Sequence, residues 1–387
     1  MSEWKEYKLG DITNWYSGGT PSKDKKDYWG GSIPWISAKT MTDYQVSSSE
    51  LTITENGLAN GSRLAIEKDI LLLVRGSGLF IDIPINIVEK PVAFNQDIKA
   101  IRAKNPELQD FIFFWLQGNK KGLNDILEET GIGAGKFDTD LLKKLDISIP
   151  TNKTEFDFIV QTAKAIFDKI DLLERQNAAL EKMAQTLFRQ WFLEEANDEW
   201  AISSLSEMAN FLNGLACQKF PPKNDLDKLP ALKIKELSSG ISENSDWVST
   251  DIKPEYIVKN SDVIFAWSAS LMVKIWDGQD CILNQHLFKV TSEDYPKWFY
   301  YLWCKHHLTE FISIAASHAT TMGHIKRGDL DEAKVLIPSP EELGAMTEQA
   351  EPLIQKIIAN NIQINTLIKL RDSLLPKLMT GEVTVEQ

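Results

Sequence analysis

Between Thr154 and about Phe192 the chain contains neither proline nor glycine. Apolar or small residues recur there at steps alternating four and three: Ile159, Ala163, Ile166, Ile170, Leu173, Leu180, Ala184, Leu187 and Trp191. That spacing is the seam of a coiled coil, with Asn177 filling its one gap. Thr154 is placed to cap the helix N-terminus. A helix of about 39 residues would be roughly 58 Å long at about 1.5 Å per residue. After Pro352 the stripe recurs at Leu353, Ile357, Ile364, Leu367, Leu374 and Leu378, with Asn360 and Arg371 in the gaps. Pro340 and Gly381 punctuate the ends of this second stretch, and Pro376 is expected to kink or fray its last turn. Helices this long are marginal alone, so each stripe predicts a partner, and the natural partner is the other stripe.

Elsewhere the pattern shortens. Apolar runs at 70–74, 81–88, 98–101, 263–267 and 287–290, separated by Gly, Pro and Ser, predict strands. Residues 107–116 and 296–304 predict helices. The fold class is therefore α+β with a strand core.

The organisation is duplicated. Glu3-Trp4 through Lys23 matches Glu199-Trp200 through Lys219 at a shift of 196, which sets Gly18 on Gly214 and Lys23 on Lys219. The stretch Ile33–Lys39 falls on Leu229–Lys235, Asn95-Gln96 recurs as Asn284-Gln285, and Gly135 recurs as Gly323. The shift drifts from 196 to 188, as expected when surface loops gain and lose residues. Two similar modules, each followed by one long helix, predict a pseudo-twofold object with the helices antiparallel. Such an object can present two reading heads to two half-sites about 34–36 Å apart on a duplex. From periodicity alone, a scaffold or dimerisation coiled coil is equally open.

Composition narrows this. A chain of 387 residues, 43% hydrophobic and 25% charged, can bury the cores of two or three domains. Its longest apolar runs are too short to cross a bilayer, so no membrane partner is expected. The opening Met1–Glu6 lacks the shape of a secretion signal. Cys217, Cys281 and Cys304 are odd in number and far apart, which fits a reducing compartment. The expected location is the cytoplasm. Lys and Arg number 42 against 55 Asp and Glu, a net charge of −13, and neither globular segment is basic overall. Screening is nearly complete beyond about 8–10 Å, so local clusters rather than net charge decide contact. The acidity counts against nucleic acid without excluding it.

Several segments in order carry a family resemblance: Gly18-Gly19-Thr20-Pro21-Ser22, Tyr28-Trp29-Gly30-Gly31, Ile33-Pro34-Trp35-Ile36-Ser37, and the Asn95-Gln96 and Asn284-Gln285 pairs. Thr320-Thr321-Met322-Gly323-His324-Ile325 and Arg371-Asp372-Ser373-Leu374-Leu375-Pro376-Lys377-Leu378 complete the series. With the duplication, the chain resembles the specificity subunit of type I restriction–modification systems over essentially its whole length. The resemblance implies two target-recognition domains, 1–152 and 197–340. It also implies two long antiparallel coiled-coil helices between them, 153–196 and 341–387 with the C-terminal tail. The implied ligand is a bipartite, asymmetric duplex DNA target. The implied partners are two methyltransferase subunits and, through them, restriction–translocase subunits. The second copy departs from the pattern where Gly214-Leu215-Ala216-Cys217 replaces the Gly-Thr-Pro-Ser turn.

Candidate DNA contacts follow from residue chemistry. Thr20, Ser22, Lys23, Lys25 and Lys26 sit on a turn-rich loop whose hydroxyls and ammoniums suit phosphates, or that is simply solvated. Ser37 and Lys39 continue that set, and Lys219 and Lys235 repeat it. Gln96 and Gln285 offer a bidentate amide to adenine, though the residues favour each Asn-Gln pair satisfying buried backbone. Arg75, with Ser77, reaches toward guanine or forms a structural salt bridge, and Ser268 is the candidate in the second copy. Glycine-rich backbone around Gly135 and Lys136, and around Thr320, Thr321, His324 and Lys326, delivers cations to phosphate.

Catalytic signatures are missing. The 130–137 stretch fails as a P-loop, because Thr130 stands where the first glycine belongs and Phe137 has no hydroxyl. No Asn-Pro-Pro-aromatic stretch for a flipped base occurs. No glycine fingerprint for an adenosyl cofactor follows a strand, and His306-His307 with the cysteines lack metal spacing. The expectation is a non-catalytic subunit without cofactor or metal. The runner-up is a scaffold whose modules bind peptides or glycans, a reading that fits the acidity and 12 tryptophans.

Overall fold

Each long helix begins where a side chain can satisfy its first free amides. In the computed structural model, which describes residues 3–131, 133–242, 244–317 and 323–383, Asn152 takes this role for the first. Its Oδ1 accepts from the amides of Thr154 at 2.9 Å and Glu155 at 3.3 Å. The expected cap, Thr154, lies inside the first turn instead. Ser339 and Glu342 form a reciprocal capping box ahead of the second, with Pro340 at the first helical position, where its missing N–H costs nothing.

Four helices of ten or more residues stand among the described residues: α1 (Gln109–Gly118), α2 (Lys153–Arg189), α3 (Lys297–Ser317) and α4 (Pro340–Thr380). The 296–304 prediction fell short, since α3 runs to Ser317. Helix α4 carries both Pro352 and Pro376 inside it and runs past the expected fraying point to Thr380. Gly381 then leaves it with φ +73°, the left-handed turn that glycine adopts without strain.

The chain forms two compact units: Met1–Leu172 with Thr366–Gln387, and Leu173–Asn365. Both long helices contribute to both units. Unit 1 holds the start of α2 with the end of α4, and unit 2 holds the end of α2 with the start of α4, the pairing of opposite ends expected of antiparallel helices. In unit 1 the Arg371 guanidinium lies 5.5 Å over the Phe167 ring. Ile159, Ala163, Phe167, Leu375, Leu378 and Met379 join the core built around α1. In unit 2, Phe188 and Phe192 are buried with Trp298 and Trp303 of α3, alongside Ile354 and Ile358. The helices therefore bury more than the predicted seam, because each helix portion also packs on the globular part of the unit it belongs to.

Unit 1 builds a five-stranded sheet in the order 13–17, 98–103, 70–73, 85–88 and 45–46. A second sheet has the order 52–53, 29–36, 92–94 and 64–65, and a ladder joins 4–8 to 146–150. Unit 2 repeats this design: 210–213, 287–291, 263–266 and 272–275, then 247–249, 228–232, 281–283 and 257–258, with 201–204 on 334–337. Even the parallel pairing recurs, Trp35 and Ile36 beside Ala93 and Phe94 in one unit, Ala231 and Leu232 beside Ile282 and Leu283 in the other. The predicted 81–88 strand starts only at Ile85, because Pro84 has no N–H for a ladder and Ile81 is 77% exposed.

Each central strand is entered through a left-handed residue, Lys68 (φ +69°) or Ser261 (φ +72°). An aspartate follows it. Asp69 is buried and accepts from Arg102 at 2.7 and 2.8 Å, and Asp262 pairs with Lys289 at 2.8 Å. These pairs hold the sheet and are structural.

Candidate nucleic-acid interface

One backbone arrangement occurs twice, and most candidate residues gather on it. In unit 1 the amide of Gly19 donates to Phe94 O, Asn95 N to Ile36 O, Val74 N to Asp97 O and Phe137 N to Val74 O, at 2.8–3.0 Å. In unit 2 the corresponding bonds are Leu215 N to Leu283 O, Asn284 N to Leu232 O, Trp267 N to His286 O and Ile325 N to Trp267 O, at 2.9–3.3 Å. Each Asn side chain closes the turn that follows it. Asn95 Oδ1 accepts from Asp97 N at 3.1 Å and Asn284 Oδ1 from His286 N at 3.3 Å. Asn95 and Asn284 are buried, whereas Gln96 is exposed and Gln285 half-buried. The Asn of each pair satisfies backbone and the Gln projects outward.

Glycine is required beside these turns. A Cβ on Gly18 would overlap the carbonyl oxygens of Phe94 and Asn95, and one on Gly214 those of Leu283 and Asn284. The Gly-Gly-Thr-Pro and Gly-Leu-Ala-Cys segments thus lie against the Asn-Gln turn of their own unit.

In unit 1, Thr20 Oγ1 donates to Gln96 Oε1 at 2.6 Å, which brings two candidates together. Arg75 pairs in antiparallel register with Lys136, and Gly76 with the buried Gly135. Arg75, Ser77 and Lys136 are exposed. Among the described residues Arg75 makes no ion pair, so the salt-bridge alternative for it falls away. Ser22, Lys23 and Lys26 are exposed on the loop before Trp29. Lys25 differs: its ammonium lies 4.9 Å over the Tyr28 ring and donates to the Tyr28 hydroxyl at 2.9 Å, which raises its pKa. Ser37 is half-buried, and its backbone is held by the Thr40 hydroxyl in a short turn that exposes Lys39.

In unit 2 the Arg75–Lys136 ladder has its counterpart in the Ser268–His324 bridge. Ser268 is buried and bonded to His286 Nδ1 at 3.0 Å. Trp267 packs on Phe288, His286 and His324 with ring centroids 5.7–6.3 Å apart. Lys219, Lys235 and Lys326 are exposed. Thr320 and Thr321 lie outside the described residues.

Ion pairing divides the cations of this acidic chain into two sets. Lys223, Lys228 and Lys233 are neutralised by Asp251, Asp225 and Asp246. By contrast Lys23, Lys26, Lys39, Arg75 and Lys136 in unit 1, and Lys219, Lys235 and Lys326 in unit 2, make no ion pair among the described residues. Screening confines charge to contact range, so these unpaired groups set the local field.

Sequence reasoning missed Asp97, His286 and Trp267. The duplication contained the signal for the first two: directly after the shared Asn-Gln, one copy has a carboxylate and the other an imidazole. Among the described residues no His, Cys, Asp and Glu gather in a group able to hold a metal, and no helix is long and apolar enough to cross a membrane. Cys217, Cys281 and Cys304 are free and buried, and burial raises each thiol pKa.

Residues 1–182 and 197–370 both match the model of the type I restriction modification DNA specificity domain. The chain is 27% identical over 421 residues to the type I restriction enzyme MjaIX specificity subunit of Methanocaldococcus jannaschii, covering all of this chain and 94% of that one. It is 36% identical over 173 residues to the EcoR124I/EcoR124II specificity subunit of Escherichia coli, covering 44% of this chain and 41% of that protein. The crystal structure of the type I restriction-modification system S subunit from M. genitalium shares the fold, with a TM-score of 0.58 and 14% identity over 98% of this chain and 96% of that one.

Proposed function

Because this chain belongs to the family of type I restriction modification DNA specificity domains, we propose that it is the DNA-recognition subunit of a restriction–modification complex and itself performs no catalysis. Two domains, 1–152 and 197–340, each read one part of a split, asymmetric duplex target, and the long helices of segments 153–196 and 341–387, the latter with the C-terminal tail, join them. The observation that carries this reading is the duplicated hydrogen-bonded turn, which presents different side chains from one backbone design. Equal scaffolds with unequal side chains suit two unequal half-sites.

The helices offer docking surfaces to two methyltransferase subunits, which recruit restriction–translocase subunits. The complex acts in the cytoplasm, where the three buried thiols stay reduced. Phosphate contacts come from the unpaired lysines and Arg75, and base contacts from the turn residues.

The test is to co-express the chain with its methyltransferase and map the modified positions in DNA. A split, asymmetric motif is expected; a continuous motif, or none, overturns the reading. Affinity for duplex DNA should fall linearly with salt on a log–log plot, which a peptide- or glycan-binding scaffold would not show.

A further inference from the structure

In unit 1 the exposed amide of Gln96 is held from both ends. Thr20 Oγ1 donates to its Oε1 at 2.6 Å, and its Nε2 donates to Asp97 Oδ2 at 3.3 Å. A primary amide has two N–H donors and two acceptor lone pairs, so one of each remains free. A flip of the amide is disfavoured, because it would set its carbonyl oxygen against the Asp97 carboxylate. The backbone below is hydrogen-bonded and closely packed: Asn95 closes the turn, and Gly18 abuts it with no room for a Cβ.

A free acceptor and donor in fixed order match the N6 amino group and N7 of adenine in the major groove. Reversing that order would put donor against donor, so orientation is what selects the base. Unit 2 keeps the glutamine but not the clamp. Ala216 stands at the place of Thr20 and His286 at that of Asp97, with His286 Nε2 3.4 Å from Gln285 Nε2 and its Nδ1 bonded to Ser268. A neutral imidazole donates or accepts according to its tautomer, so it imposes no single amide orientation.

We propose that Gln96 reads an adenine, and that Thr20 and Asp97 are positioning residues that set the direction of its amide. The proposal rests on the DNA-recognition reading above. It assigns adenine preference to the half-site read by unit 1 and leaves Gln285 without the same constraint.

The experiment uses the full chain in complex with its methyltransferase subunits, selecting bound duplexes from a randomised library. Thr20→Val removes the donor at nearly constant size, Thr20→Ser retains it, and Gln96→Leu removes the reader. The wild-type complex should demand adenine at one position of one half of a split motif. Thr20→Val and Gln96→Leu should relax that position by about tenfold or more. Thr20→Ser should restore it, and the other half of the motif should be unchanged throughout. Adenine retained in either Thr20→Val or Gln96→Leu overturns the proposal. So does a uniform loss on every sequence with Thr20→Val, which would mark a phosphate contact. If Gln96→Leu fails to assemble, the Val and Ser variants decide the matter. A wild-type complex that selects no split motif overturns the underlying reading, and the proposal with it.

Discussion

Arg75 stands directly opposite Lys136 in an antiparallel ladder, two exposed cations on neighbouring strands. Like charges so placed destabilise a sheet by a few tenths to about 1 kcal/mol. Glu128 faces Lys136 from the other side in register, yet forms no ion pair with it. An arrangement that opposes folding and gathers positive charge is suited to a phosphate. Arg75→Ala and Lys136→Ala should each leave thermal stability unchanged or slightly raised while weakening DNA binding. Each should reduce the slope of log K against log salt by about 1. Titrations at several salt concentrations measure this, and an unchanged slope would remove both residues from the interface.

Gly18→Ala tests the close approach under the Asn-Gln turn. The new methyl group meets backbone oxygens of Phe94 and Asn95, which cannot move aside as a flexible side chain can. Overpacking of this kind costs about 1–3 kcal/mol. Gly214→Ala should cost a similar amount in unit 2. By contrast, Gly78→Ala, where no atom lies near the added carbon, should be close to neutral. Denaturant unfolding of the three variants distinguishes these cases.

Asn360 sits in the seam between α2 and α4, 1% exposed, donating to Gln176 at 2.9 Å and to Asn177 at 2.8 Å. Asn177 in turn donates to Asn361 at 2.6 Å. The Asn360 side-chain oxygen, Oδ1, is buried with no partner. An unsatisfied buried acceptor costs about 1–3 kcal/mol. Asn360→Leu should therefore raise the unfolding temperature while releasing the register that a buried polar pair specifies in a coiled coil. Cross-linking of cysteine pairs placed along α2 and α4 should then show slipped as well as native pairings. Destabilisation together with a single register would contradict this account.

His306 supplies a pH dependence. Partial desolvation of this exposed residue lowers its pKa, with the neighbouring His307 adding to the shift and Glu310 opposing it. Its ring packs on Phe188 and Trp303. A folded-state pKa below the unfolded value means that the unfolded chain takes up the proton first. The contribution is present above about pH 6.5 and is lost as pH falls through the folded value. His306→Phe should flatten stability between pH 7 and 5, read from urea midpoints at each pH.

Local patterns were legible where the physics is local. The four–three spacing of α2 needs only helical periodicity, and Asn177 and Asn360 were visible as gaps in the stripe. Where two neighbours compete, the pattern misled. Asn152 rather than Thr154 caps α2, because its Oδ1 reaches two amides at once. The apolar stripe understated Phe188 and Phe192, whose partners come from α3, far along the chain.

The sequence by itself determined the duplication, the two long helices, the α+β character and the family, since repeats and periodicity survive without coordinates. Only the tertiary structure decided that Thr20, Gln96 and Asp97 share one amide, or that Arg75 faces Lys136. Those residues are brought together by strand pairing and turn hydrogen bonds across many tens of residues. No spacing rule encodes such contacts, because each depends on where the rest of the sheet has already placed the backbone.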